Sequence, residues 1–343
     1  MRYVAGLDGL RALAILLVLF FHSKVPGLPG GNVGVDLFLV LSGFLITSLL
    51  LDEQDRSGTI GLKRFYLRRA WRLTPALLLM LFLYSLFAPL LWPEYFFHLR
   101  DVLAVLWYVA NLAAAAGYAP EKLLHGWSLG LEEQFYLIWP LVLLAVFRLL
   151  SRGMLWRALL GLYVLLCAWR IWCLYGMGAP GGLAYYRPDL HAGGLVLGAA
   201  LAAWWRQQKE VGGNAWMAKL GWLSLVVALI SPQSDELHLA LFVPLAEIGT
   251  ALLIVSILLG KQTLFAGRLV THIGKLSYGL YLFHYPIMLY LVQCRLHWLV
   301  VFCIGGVLSY ALAWVSFNTV EAAARRYRER LWPSPQSAAL ELR

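Results

Sequence analysis

Charge is scarce in this chain. Of 343 residues only 13% are Lys, Arg, Asp or Glu, about half the share usual in soluble domains. So little charge cannot cover a soluble fold of this size, and 61% hydrophobic residues is far too apolar for a disordered chain. Cysteine is scarce too. Cys167, Cys173, Cys294 and Cys303 all lie in apolar stretches and form no C-x-x-C, which excludes a disulfide scaffold and a thiolate metal site. The eight histidines include no H-x-x-x-H pair, so no metal is expected. The phosphate loop G-x-x-x-x-G-K-[ST] is missing, which disfavours a nucleotide-driven pump. There is no internal repeat and no low-complexity tract.

What is present is long apolar sequence, with a mean hydropathy of +0.71. Apolar runs fall near 8–23, 33–51, 75–92, 101–116, 128–147, 156–175, 188–205, 216–231, 238–259, 273–293 and 297–319. The chain therefore reads as an all-α integral membrane protein with one domain over 1–331 and a loose cytoplasmic tail over 332–343. The first run, Leu10 to Phe21, contains Arg11 and reads as a retained span, not as a cleaved signal peptide.

One run is too short. Residues 101–116 offer about 22 Å of helix against a hydrocarbon core of about 30 Å. With that segment re-entrant or interfacial and the N-terminus cytoplasmic, 21 of the 28 Lys and Arg fall on the inner side and five on the outer. If it crossed, fourteen of those 21 would move outside. The positive-inside rule favours the first arrangement: about ten transmembrane helices plus one re-entrant or interfacial helix, both termini cytoplasmic. The net charge of +10 thus points to a membrane and not to nucleic acid.

Ionisable residues inside spans are costly and mark candidate sites. Arg11 and His22 share a face of the first span, about 16 Å apart along its axis. Asp8, three residues before Arg11, is placed to pair with it. Arg11 also fits a snorkelling anchor, and His22 an interfacial histidine. In KRFYLRRAWRLTP, Arg69 and Arg72 are i,i+3 and Arg68 and Arg72 i,i+4, so one helical turn would gather guanidiniums suited to phosphate. Thr74 and Pro75 are expected to cap and open the third span. Positive-inside topology alone would also explain the number of these arginines. In HGWSLGLEEQFYLIWP, Glu132, Glu133 and Gln134 cannot all face lipid, so at least one carboxylate must meet a polar cavity or partner, and both map with His22 to the outer half. Further polar-core candidates are Asp36, Ser42, Ser128, Arg187, Asp189, His191, Glu247, Ser277, Tyr278 and His284, while His98, His125, His238, His272 and His297 sit in loops or at span ends and carry no argument. A secondary transporter of an anionic sugar or glycan precursor, or a non-catalytic partner of a polysaccharide synthase, would fit such a polar core as well.

The order of the segments narrows this. R-x₁₀-H (Arg11 to His22), GVDLFLVLSGFLIT, R-x-x-R (Arg69 to Arg72), WSLGLEEQFYLIWP and GKLSYGLYLFHYP follow one another across residues 5 to about 290. In this the chain resembles the membrane-bound acyltransferase-3 family, bacterial enzymes that O-acylate polysaccharides, lipid-linked sugars and macrolides. The resemblance implies an O-acyltransferase of the inner (plasma) membrane, with acyl-CoA, acetyl-CoA above all, as donor. It implies a carbohydrate or lipid-linked glycan hydroxyl as acceptor and no resident cofactor. His22 would be the base, with Asp8, Arg11, Glu132 and Glu133 in the catalytic core and Arg68, Arg69 and Arg72 on the donor. Longer members carry a fused extracytoplasmic hydrolase-like domain not found in these residues, so direct transfer to the acceptor is the simpler expectation.

Overall fold

The computed structural model describes residues 3–149, 152–208, 215–231, 235–260 and 263–331; the expected tail at 332–343 lies outside them. Among the described residues the regular structure is entirely helical. The principal helices are α1 Ala5–His22, α2 Val33–Ser57, α3 Leu62–Leu91, α4 His98–Leu106, α5 Ala110–Ala115, α6 Gly126–Leu149 and α7 Arg152–Ile171, followed by α8 Gly193–Trp205, α9 Ala215–Leu229, α10 Val243–Leu258, α11 Arg268–Gln293, α12 Gly306–Asn318 and α13 Val320–Leu331. Wider π-helical turns at Trp172–Gly176, His238–Phe242 and Val301–Gly305 continue α7 and lead into α10 and α12. Among the described residues seven helical stretches are long and apolar enough to cross a membrane, and the shorter α8 and α9 are apolar as well. The chain is a multi-pass membrane protein.

Helices that share lipid as a common solvent gain by close packing, and small residues allow it. At Gly274 a Cβ would come within 1.8 Å of the Asp8 carbonyl oxygen, and at Gly43 within 2.0 Å of that of Leu195. These two seams, α1 on α11 and α2 on α8, bring backbone to backbone and set the register of everything polar between them. Paired contacts also fix helix directions. Along α1 and α11, Arg11 meets Ser277 and His22 meets His284, so the two run parallel. Along α2 and α6, Ser42 meets Glu132 and Thr47 meets Trp139, so these are parallel too.

The third span departs from expectation. Thr74 and Pro75 do not open it; α3 runs unbroken from Leu62 through both and through Pro89. Pro75 removes one intrahelical hydrogen bond, that to the Trp71 carbonyl, a loss that a packed membrane bundle tolerates. Tyr278 Oη on α11 donates to the nearby Leu73 carbonyl at 3.0 Å and ties the two helices together. Residues 98–116 form α4 and α5, about 14 and 9 Å long. Tyr108, at φ +56°, lies in the break between them, and Asn111 and Gln134 exchange amide hydrogen bonds at 3.1 and 2.9 Å that hold α5 on α6.

Candidate active site

At the C-terminal end of α1 a cavity of about 380 Å³ is lined by His22, His125, Tyr185, Tyr281 and Tyr285, among others. The hydrogen bonds assign the imidazole tautomers. His284 Nδ1 lies 2.7 Å from the Tyr281 carbonyl and must donate to it, so its Nε2 is an acceptor. That Nε2 lies 3.2 Å from His22 Nδ1, which also lies 2.9 Å from the Val18 carbonyl. His22 therefore carries its proton on Nδ1, shared between those two acceptors. Its Nε2 keeps a free lone pair.

His125 belongs to this cluster, although its place one residue before α6 looked uninformative. Its Nε2 donates to the Leu282 carbonyl at 3.1 Å, its ring stacks on Tyr285 at 4.9 Å, and its Nδ1 is buried without a partner. Burial, with His284 beside it, holds this imidazole well below the ordinary histidine range. Only its position just ahead of the GWSLG segment could have marked it.

Deeper along α1, Arg11 Nε donates to Ser277 Oγ at 3.2 Å. Asp8 does not pair with Arg11 as its spacing suggested; it accepts from Tyr3 Oη at 2.7 Å, because Ser277 on the parallel α11 draws the guanidinium across the seam. The carboxylates are not separated from the arginines either. Arg69 Nη2 lies 3.9 Å from Glu133 Oε1, and its guanidinium stacks 3.8 Å over the Tyr136 ring. Tyr136 Oη donates to Glu132 at 2.9 Å, and Ser42 Oγ to the other oxygen at 3.1 Å. The uninterrupted α3 carries Arg69 beside the first turns of α6. Arg68 and Arg72, with Arg69 beside them, line a second cavity of about 490 Å³ between α2, α3 and α13.

Other candidates sort differently. Asp36 and His191 form a fully buried pair at 2.9 Å, with His191 Nδ1 donating to the Tyr185 carbonyl at 2.7 Å. Glu247 pairs with Arg170. Arg187 and Asp189 are not in the polar core. They pair with each other at 2.7 Å near the surface, where Trp169 Nε1 also donates to Asp189, because the turn at Pro188 points these two side chains outward and buries Leu190 and His191. Ser128 sits in a G-x-S-x-G spacing at residues 126–130, but on the opening turn of a helix with its Oγ 2.6 Å from Tyr281 Oη, so no nucleophile elbow is formed. Residues 176–181 likewise spell G-x-G-x-x-G, without a strand before them and with Gly178 at φ +66° in a loop.

Fold and site together are those of a polytopic helical membrane protein with a polar core. The chain belongs to the membrane-bound acyltransferase-3 family, whose model, described as an acyltransferase domain, matches residues 4–317. It is 32% identical to the peptidoglycan O-acetyltransferase OatA of Listeria monocytogenes, over 95% of this chain and 56% of that protein. It is 31% identical to a putative O-acetyltransferase of Staphylococcus aureus, over 84% of this chain and 51% of that one. It is also 32% identical to the putative peptidoglycan O-acetyltransferase YrhL of Bacillus subtilis, over 84% and 49%. The chain spans about half the length of these relatives. No solved structure matches it.

Proposed function

We propose that this chain is an O-acyltransferase that moves an acetyl group from acyl-CoA, held by Arg68, Arg69 and Arg72, to a hydroxyl of a carbohydrate or lipid-linked glycan in the His22 cavity. The observation that carries the reading is the His22 tautomer. With Nδ1–H committed to Val18 and His284, Nε2 is the lone pair offered to the cavity. An acceptor hydroxyl loses its proton to Nε2 as its oxygen attacks the thioester carbonyl carbon. Collapse of the tetrahedral adduct breaks the C–S bond, and the leaving thiolate takes the proton from Nε2–H. The Val18 carbonyl and His284 Nε2 stabilise the imidazolium in between. Arg11 lies about 16 Å down the same helix face, so the line from arginines to imidazole is of the order a pantetheine arm must bridge.

The reading includes ten crossings, with α4 and α5 not crossing and both termini cytoplasmic, which sets an inward donor against an outward acceptor. The parallel run of α2 and α6 supports it, since one more crossing between α3 and α6 would reverse α6. The relatives' names support O-acetylation of envelope glycans, and membership in an acyltransferase family favours transfer over sugar transport. The test is His22→Ala in the purified full chain. Acetyl transfer should fall by about 10²- to 10⁴-fold with coenzyme A binding retained. Activity within a few-fold of wild type would remove His22 from the role of base.

A further inference from the structure

The second cavity holds more guanidinium than one phosphate group needs. Arg64, Arg68 and Arg72 recur every four residues along α3 and form a stripe about 12 Å long, too extended to close on a single phosphate. Arg56 from α2 and Arg328 from α13 complete the lining, with Arg69 at the inner side and Glu53 the sole carboxylate on the wall. Arg56 is engaged by Asp52 at 3.6 Å, and Arg69 by Glu133. Arg64, Arg68 and Arg72 have no carboxylate partner among the described residues, and Arg328 has only its neighbour Glu329, at 3.9 Å. The helix that brings Arg328 is held by Tyr327, whose ring meets that of Trp71 at 4.9 Å, one turn of α3 from Arg68. A stripe of spaced, unneutralised guanidiniums closed by a second helix suits a ligand whose phosphates lie in two separate places.

We propose that this cavity is a two-part phosphate site in which Arg69 and Arg72 take the diphosphate of coenzyme A while Arg64 and Arg328 take its ribose 3′-phosphate, so that α13 selects the donor by that phosphate. The proposal rests on the donor-site reading above. Coenzyme A carries its diphosphate on the pantetheine side and its 3′-phosphate on the far side of the ribose, which matches a stripe with one end toward Arg11 and the other at the mouth. Planar guanidiniums bind such groups bidentately.

The experiment is calorimetric titration of coenzyme A and of 3′-dephospho-coenzyme A into the full-length protein in phosphatidylcholine nanodiscs, for wild type, Arg64→Ala, Arg328→Ala and Arg69→Ala. Wild type should prefer coenzyme A by about 10- to 100-fold. Arg64→Ala and Arg328→Ala should each lose about tenfold toward coenzyme A and nothing toward the dephospho form, whose unchanged binding also reports an intact fold. Arg69→Ala should weaken both. Equal wild-type affinities, or equal losses for both ligands in the Arg64 and Arg328 variants, would overturn the proposal while leaving the donor site standing. No binding of either ligand by wild type would instead overturn the donor-site reading. In phosphatidylglycerol nanodiscs the preference should persist; its disappearance there would make the cavity a lipid-phosphate site and overturn the assignment.

Discussion

Two arginine–glutamate pairs lie inside this bundle at nearly the same separation, and they differ in what surrounds them. Arg170 Nη2 and Glu247 Oε1 are 3.8 Å apart and almost wholly shielded, 1% and 0% exposed. Arg170 also donates to the Leu190 and Leu239 carbonyls, and Tyr163 Oη donates to Glu247 at 2.9 Å. That pair joins α7, α10 and the turn before α8, and opens on no cavity described above. Arg69 and Glu133 are 3.9 Å apart but 16% and 19% exposed, and Arg69 Nε and Glu133 Oε1 are buried without hydrogen-bond partners. Arg69 borders the arginine cavity as well. Arg170 Nη2 and Glu247 Oε1 likewise lack hydrogen-bond partners, so unused atoms do not separate the two pairs. What does is that the first is sealed and cross-bonded to three segments while the second borders a cavity.

The sharpest way to break this contrast is to remove one partner from each pair. Arg170→Met should cost about 3–5 kcal/mol of stability, because it leaves Glu247 buried and unpaired. Adding Glu247→Leu should restore part of that, though not all, since the bonds to Leu190 and Leu239 remain lost. Arg69→Met should leave the melting temperature nearly unchanged. Thermal unfolding in detergent reads all three. Equal destabilisation by the two arginine replacements would erase the distinction.

A second effect concerns ligand binding. Arg69→Ala and Arg72→Ala should weaken coenzyme A by roughly 10- to 150-fold, about 1.5–3 kcal/mol per lost charged contact. Lysine at either place should rescue only partly, because it keeps the charge and loses the planar fork. Arg170→Met, in whatever protein remains folded, should leave coenzyme A affinity alone. Silent lysine and alanine replacements at 69 and 72 would return that cluster to a topological role.

Spacing along one helix made part of this candidate cluster legible. Arg11 and His22 share a face by periodicity alone, and Arg68 and Arg72 lie four apart; Arg64, one turn earlier on the same stripe, is not among the sequence candidates. Partners on other helices were not legible. Nothing local links Arg170 to Glu247, 77 positions later, or His125 to Leu282, because those contacts depend on seams such as Gly274 on Asp8 that place whole helices. The i,i+3 rule misplaced Asp8 for the same reason: Ser277 on another helix outcompeted a neighbour in sequence. Proline misled at the third span, since the helix-start signal at Thr74 and Pro75 is read for water, where a mid-helix proline is dearer than in a packed membrane bundle.

The smallest expected effect sharpens the comparison at the histidine end, where His125 also has a buried atom to spare. Its imidazole is held well below the ordinary histidine range, mainly by burial, so the folded protein keeps it neutral where an unfolded chain would already be protonated. Below about pH 6.5 the unfolded state thus binds a proton that the folded state refuses, and stability falls as the pH falls, by at most about 1.4 kcal/mol per pH unit for this group. His125→Gln replaces the ring with an amide that can still donate to the Leu282 carbonyl but does not titrate. The acid limb of melting temperature against pH, followed from pH 7.5 to 5, should therefore become shallower in His125→Gln than in wild type, while the two proteins differ little at pH 7.5. His125→Asn gives a further check, since it also cannot ionise yet offers its carbonyl oxygen where Nδ1 was and gives up the bond to Leu282. It should share the shallower limb and sit lower throughout, by about 0.5–1.5 kcal/mol for the lost hydrogen bond. Superimposable curves for wild type and His125→Gln would mean that the folded protein accepts the proton, which requires Nδ1–H to find an acceptor and would end the description of that nitrogen as buried without a partner.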